Sequence, residues 1–247
     1  MVTVTVTVTV TVTVITDNEM TQNILYYIHD PMCSWCWGFR PSWDTLRSKL
    51  LDTYPALDIR NIVGGLAPDS DEAMPLEMQH MLQSTWQRIQ KSIPNTVFNY
   101  DFWQTGEPRR STYPACRAVI AAGQQSPVSN VLRADNTNEN AMILAIQQAY
   151  YLQAQNPSNH DVLIACSESI GLDSARFTQD LNSETTQQRL LKNIAEYRRL
   201  AQLSGISGFP SMVLSCSLQN ETAYHAIAID YNHPQAMFDV IRQRLSI

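Results

Sequence analysis

The residue pair in this chain best suited to chemistry of its own is Cys33 and Cys36, spaced C-x-x-C within Asp30-Pro31-Met32-Cys33-Ser34-Trp35-Cys36-Trp37-Gly38-Phe39. They follow an apolar run, residues 24–28, that reads as a buried strand. The residues after them place Phe39, Trp43, Leu46 and Leu50 on one face of a helix. Two cysteines one turn apart, where a strand hands over to a helix, are arranged for dithiol–disulfide exchange. Cys33 falls at the helix N-terminus, where unpaired N–H groups and the helix dipole stabilise a thiolate. Placement of that kind lowers a cysteine pKa from about 8.5 to between roughly 3.5 and 7.5. Cys36 is then positioned to attack a mixed disulfide on Cys33 and release the substrate. Pro41, five residues further on, removes one helix hydrogen bond and predicts a kink.

Other uses of the pair fit less well. A structural zinc site needs four ligands, of which C-x-x-C supplies two. Cys116, Cys166 and Cys216 are singletons, and the sequence has no second C-x-x-C and no H-x-x-x-H. No metal is therefore expected. A purely structural disulfide closing so short a loop gains little. Cys116 falls in helical register with Val119, Ile120 and Gly123, and Cys166 with Leu163 and Ile170, so both read as small core residues.

The elements that must hold the pair can be read in order. Residues 57–63 alternate as a second strand ending at Gly64-Gly65, giving a parallel βαβ unit with right-handed crossover. From about Ser70 to Ser183 the pattern becomes helical, with helices near 72–92, 112–124, 138–155, 159–170 and 173–182. Pro94, Gly123, Pro127, Pro157 and Gly171 mark the stops. A helix over 184–204 ends at Gly205; strands over 212–217 and 223–229 form an antiparallel hairpin, and a helix over 234–245 follows. The order β-α-β, helical block, α-β-β-α is an α/β thioredoxin fold with a mixed four-stranded sheet, interrupted by a large all-helical insertion. Residues 21–68 and 184–247 make the thioredoxin-like part and 69–183 the insertion. Residues 1–20 carry a strict Val-Thr alternation over 2–14, read as low-complexity sequence outside the fold, with Met20 a natural initiator. Met74, Met78 and Met81 fall on one helical stripe and read as core.

The net charge of −6 with no basic stripe argues against nucleic acid as a partner. No apolar run approaches the roughly eighteen residues of a membrane span. The Val-Thr segment lacks the basic, Leu/Ala-rich and small-residue zones of an export signal, and an odd count of five cysteines suits a reducing compartment, so the expected location is cytoplasmic.

Four stretches, taken together, resemble the DsbA-like branch of the thioredoxin superfamily, most closely its FrnE-like group. They are HDPMCSWCWGF at 29–39, IVGGLAP at 62–68, YPACRAVIAA at 113–122 and GISGFPSMVL at 205–214. The resemblance implies a nucleophilic Cys33, a resolving Cys36 and a cis peptide between Phe209 and Pro210 facing them. Substrate would dock at Ser34, Trp35, Phe209 and Pro210, with the insertion covering one side. Many relatives carry a buried acid six residues before the nucleophile; here that position is Tyr27. His29 and Asp30 are then the nearby candidates for moving the Cys36 proton, although both also read as strand-end and turn residues. The implied partners are disulfide-containing or dithiol proteins, or small thiols, with glutathione or thioredoxin as reductant. No cofactor is implied beyond the redox-active disulfide and glutathione as a co-substrate. Two alternatives stay open. Kappa-class glutathione transferases and related isomerases share the interrupted fold but use a lone Ser at the first cysteine's position. A non-catalytic client-binding module is the other.

Overall fold

The computed structural model describes residues 23–125, 137–218 and 221–246; the Val-Thr repeat lies outside them. The strands are β1 (Ile24–His29), β2 (Asp58–Val63), β3 (Ser211–Leu218) and β4 (Glu221–Ile227). The helices are α1 (Ser34–Thr53), α2 (Leu76–Ser92), α3 (Phe102–Thr105), α4 (Tyr113–Gly123), α5 (Thr137–Tyr151), α6 (His160–Ser169), α7 (Ser174–Leu181), α8 (Glu184–Ser204) and α9 (Pro234–Leu245).

The strands form one four-stranded sheet in the order β2-β1-β3-β4. β2 pairs parallel to β1, and β3 pairs antiparallel to both β1 and β4. β1 is central and covered on both faces, which is why its sequence is a continuous apolar run rather than an alternation. Its two side-chain rows face different layers. Leu25 and Tyr27 pack with Phe39, Trp43, Leu46 and Leu50 of α1 and with Met237, Phe238 and Ile241 of α9. Tyr26 and Ile28 pack with Ile62, Val213 and Leu200 of α8.

Helices α2 to α7 sit between β2 and α8 in the chain and build a second core around Trp86, Phe102, Met142, Tyr151, Leu163 and Phe177. Leu190 and Ile194 of α8 and Met32 of the C-x-x-C loop belong to the same core. α8 therefore serves the sheet on one side and the helices on the other. Its ends are well defined: the Ser183 hydroxyl accepts from the Thr186 N–H, and Gly205 takes the left-handed conformation at φ 77°.

α1 runs through Pro41 as one continuous helical span. Pro41 is exposed, so the missing hydrogen bond falls on the solvent side, and the Thr45 hydroxyl donates to the Pro41 carbonyl at 3.0 Å. The methionine stripe is not core. Met74 is buried but precedes α2, Met78 is half-buried and Met81 is 52% exposed. α2 buries Trp86 and Ile89 instead, near its C-terminal end, leaving its first turns outside the packed layer. Among the described residues no helix is long and apolar enough to cross a membrane.

Candidate active site

Cys33 is the residue at which the chain turns from loop to helix. It is the N-cap of α1, with extended backbone (φ −80°, ψ 118°), and its carbonyl accepts the Trp37 N–H at 3.1 Å. Its thiol points across the sheet end at the Phe209 carbonyl, 3.6 Å away. The Phe209–Pro210 peptide is cis. Cys36, one turn on, is fully buried on the inner face of α1. Burial first, and the neighbouring Cys33 thiol second, push the Cys36 thiol well above the usual cysteine range, while the Asp30 backbone N–H opposes the rise.

Phe209 is set by an unusually close approach. A Cβ at Gly64 would lie 2.0 Å from Phe209 Cε1, so only glycine lets the ring lie there. The ring also packs against Tyr197 of α8, with centroids 4.9 Å apart, and the Tyr197 hydroxyl accepts the Gly208 N–H at 3.0 Å. The IVGG stretch and α8 thereby fix the loop whose carbonyl faces Cys33.

Asp30 is a structural hub rather than a simple turn residue. Its Oδ1 accepts the Met32 N–H at 2.9 Å. Its Oδ2 accepts the Leu66 N–H at 2.7 Å, the Thr112 hydroxyl at 2.7 Å and the Cys116 thiol at 3.5 Å. Its carbonyl accepts the Cys33 N–H at 3.0 Å. A carboxylate has about four acceptor positions, two on each oxygen; here three donors crowd Oδ2 and one reaches Oδ1. The geometry gives Asp30 a positioning task at the turn before Cys33. Burial raises the Asp30 pKa, and the four donors hold the rise back. Cys116 is the buried core residue its register indicated, and its thiol also ties α4 to Asp30.

His29 is fully buried, and among the described residues neither ring nitrogen has a hydrogen-bond partner. An unmet buried polar group costs about 1–3 kcal/mol, so its retention asks for a reason. The ring stacks on Tyr27 at 5.0 Å, and Tyr27 stacks on Trp43 at 4.1 Å. Burial, then the Arg40 charge, push the His29 pKa down to about 3.

The dipeptide between the cysteines splits in two. Ser34 is buried: its hydroxyl accepts the Trp86 indole N–H at 2.9 Å and pairs with the Tyr151 hydroxyl, which donates to the Met32 carbonyl at 2.7 Å. Its side chain is thus turned into the helical core and is not presented to a substrate, which corrects that assignment. Trp35 is half-buried at the rim, with the Arg88 guanidinium 5.4 Å over its ring and Tyr231 at 5.4 Å. The structure brings Cys33, Cys36, Trp35, Phe209 and Pro210 to one sheet end, with His29 and Asp30 beneath. The sequence reading missed Gly64, Trp86, Thr112, Cys116 and Tyr151 as parts of this site. Gly64, Thr112's neighbours and Cys116 lie in the IVGGLAP and YPACRAVIAA stretches, which were the available signal. Among the described residues no group of three or more His, Cys, Asp or Glu could hold a metal ion.

Comparison with known proteins agrees with this architecture. The ClpXP adapter protein SpxH of Halalkalibacterium halodurans is 27% identical over 168 residues, covering 65% of this chain and 49% of that protein. SpxH of Bacillus subtilis is 22% identical over 166 residues, covering 67% and 50%. The matched stretch thus spans about half the length of these curated relatives. Among solved structures, a candidate protein disulfide isomerase from Nitrosomonas europaea superposes with TM-score 0.70 at 25% identity, over 91% of this chain and 98% of that one. The cytosolic disulfide reductase DsbM from Pseudomonas aeruginosa gives TM-score 0.65 at 22% identity, over 90% and 98%, and has also been solved with GSH. These comparisons reach the DsbA-like fold and do not single out the FrnE-like group. The Thioredoxin family model matches residues 26–235, most of the chain, and the chain belongs to that family.

Proposed function

We propose that the chain is a thiol–disulfide oxidoreductase working through the Cys33–Cys36 couple. The observation that carries this reading is the geometry at Cys33: a thiol on the N-cap of α1, 3.6 Å from the Phe209 carbonyl, with a second, buried thiol one turn behind it. The Cys33 sulfur attacks a substrate disulfide and forms a mixed disulfide. Cys36 then attacks Cys33, releasing the reduced substrate and leaving a Cys33–Cys36 disulfide; the reverse steps oxidise a dithiol. Substrate backbone approaches along the Phe209–Pro210 loop, with Trp35 at the rim. Pro210 offers no N–H, so an extended substrate would pair as an added strand through the backbone of Phe209.

Disulfide-containing or dithiol proteins and small thiols are the substrates this arrangement suits, with glutathione or thioredoxin as reductant and a reducing, cytoplasmic location. The DsbM structure with GSH is consistent with a small thiol in a site of this fold. Cys33→Ser is expected to abolish exchange, while Cys36→Ser is expected to accumulate mixed disulfides, both read by non-reducing gels and mass spectrometry. Full turnover in both variants ends the proposal.

A protein-binding role is the second reading. It is favoured by the adapter relatives and by the uncovered start of α2, where Leu76 is 70% and Met81 52% exposed. A Cys33→Ser/Cys36→Ser protein that still binds its partner would support it.

A further inference from the structure

The C-terminal half of α2 touches both residues of the dipeptide between the cysteines. Trp86 is fully buried, and its indole N–H donates to the Ser34 hydroxyl at 2.9 Å. Two residues on, the Arg88 guanidinium lies 5.4 Å over the ring of Trp35. The close approach of α2 to α1 depends on Gly38, where a Cβ would lie 2.7 Å from Ile93 Cδ1 and 3.0 Å from Ile89 Cγ2. Ile89 and Ile93 are themselves buried. Packing beneath Arg88 therefore sets its position, while Arg88 itself is exposed.

Nothing in the fold neutralises this charge. Among the described residues Arg88 has no hydrogen bond and no ion pair. An aromatic face attracts a cation but offers its N–H groups no acceptor in their own plane, so the guanidinium edge stays open. The carboxylates on the neighbouring elements are engaged elsewhere. Asp44 of α1 pairs with Arg40 at 2.8 Å. Asp230, in the loop that brings Tyr231 against Trp35, accepts the N–H groups of Asn232 and His233, each at 2.9 Å. Lys91 lies one turn beyond Arg88 on α2 and is also exposed. The chain carries a formal net charge of −6, so its overall field disfavours anions. An unpaired cation over the residue between the two cysteines is a local exception. Charge acts over about 8 Å at physiological salt, so Arg88 can act on a charged group of the substrate without touching the reacting sulfur.

We propose that Arg88 selects substrates by charge: it holds a carboxylate that flanks the disulfide attacked by Cys33, so that the site favours anionic disulfides over neutral and cationic ones. This rests on the oxidoreductase reading and deepens it by naming a substrate class. Arg88 moves no electron or proton. A guanidinium takes a carboxylate through its N–H fork, which orients the substrate's sulfur–sulfur bond towards Cys33 and Trp35, both in the first turn of α1.

The test uses disulfides of near-equal size and opposite charge: dithiodipropionate, a dianion; hydroxyethyl disulfide, neutral; and cystamine, a dication. Rate constants for adduct formation at Cys33 of the reduced protein are read by acid quench and mass spectrometry. Arg88→Gln is expected to slow the dianion about three- to fivefold, the scale of an exposed ion pair, and to leave the neutral disulfide unchanged. Arg88→Glu should slow the dianion about tenfold and speed the dication about as much, two such increments. Arg88→Lys should keep the wild-type order, and about 1 M salt should flatten the differences. The ratio of dianion to dication is taken within each variant, so a general loss of folded protein or of thiol reactivity cancels. A ratio that Arg88→Glu leaves unchanged overturns the assignment, and so does equal slowing of all the disulfides, the mark of a displaced Trp35. If the wild-type protein forms no adduct with any of them, the oxidoreductase reading falls and Arg88 with it. If adducts form and the ratio does not move, only the Arg88 role falls.

Discussion

Side chains that a local pattern would call turn or core residues carry much of this site. Asp30 receives donors from positions 32, 66, 112 and 116, and His29 sits unbonded beside it. His29 has a thermodynamic signature. An unfolded histidine titrates near 6.5, whereas the native ring is held down to about 3. Between those values the unfolded chain binds a proton that the native state refuses, so stability falls as pH drops below about 6.5, by at most about 1.4 kcal/mol per pH unit. Asp30 acts with the opposite sign: its raised pKa means the native state keeps a proton that the unfolded chain has already lost, so its contribution declines as pH rises through and above about 4. Urea midpoints measured from neutral pH down to about pH 4.5 should fall in wild type and flatten in His29→Phe; an equally steep fall in the variant would show that His29 is not the group responsible. The cysteine pair was legible because its meaning is local, two thiols at a strand-to-helix junction. The roles of Asp30 and Cys116 were not, because their partners lie 82 and 86 residues apart in sequence and no local periodicity records them.

At the scale of elements, the pattern of apolar residues gave β1, α1, β2, α8, the β3–β4 hairpin and α9 close to their observed bounds, since each buries a face of matching period. It failed where burial was decided by a distant element. The resemblance places Ser34 at the substrate, yet Trp86 of α2 holds its hydroxyl within the helical core. The Met74–Met81 stripe reads as core, yet α2 is buried through Trp86 and Ile89. α3 is four residues long and too short to show a period. The β2–α2 junction makes a sharper statement. Gly64→Ala places a methyl group into the Phe209 ring, which must move and carry the carbonyl facing Cys33 with it. The expected cost is about 1–3 kcal/mol of stability from overpacking, with a larger loss in kcat/KM than in the denaturation midpoint. A variant with native exchange kinetics would show that the Phe209 position does not matter to the reaction.

Across the molecule, the helices between β2 and α8 grip the C-x-x-C loop directly. Trp86 bonds Ser34, Tyr151 bonds the Met32 carbonyl, and Thr112 and Cys116 bond Asp30. Tyr151→Phe leaves the buried Met32 carbonyl without its donor, at about 1–3 kcal/mol. Thermal unfolding should show that loss, and the rate of adduct formation at Cys33 should drop with it although residue 151 is far along the chain. A stable variant with slow adduct formation would place the effect on loop geometry alone; a variant normal in both would show that this anchor is idle. The Asp30 and Tyr151 anchors also set an order of events during synthesis. A growing polypeptide exposes its two cysteines early, but the clasp that shapes them is completed only after residue 151 has been made and docked. Until then the sulfurs behave as ordinary thiols, so an unfinished chain exchanges with its neighbours' disulfides without the positioning that the docked loop supplies.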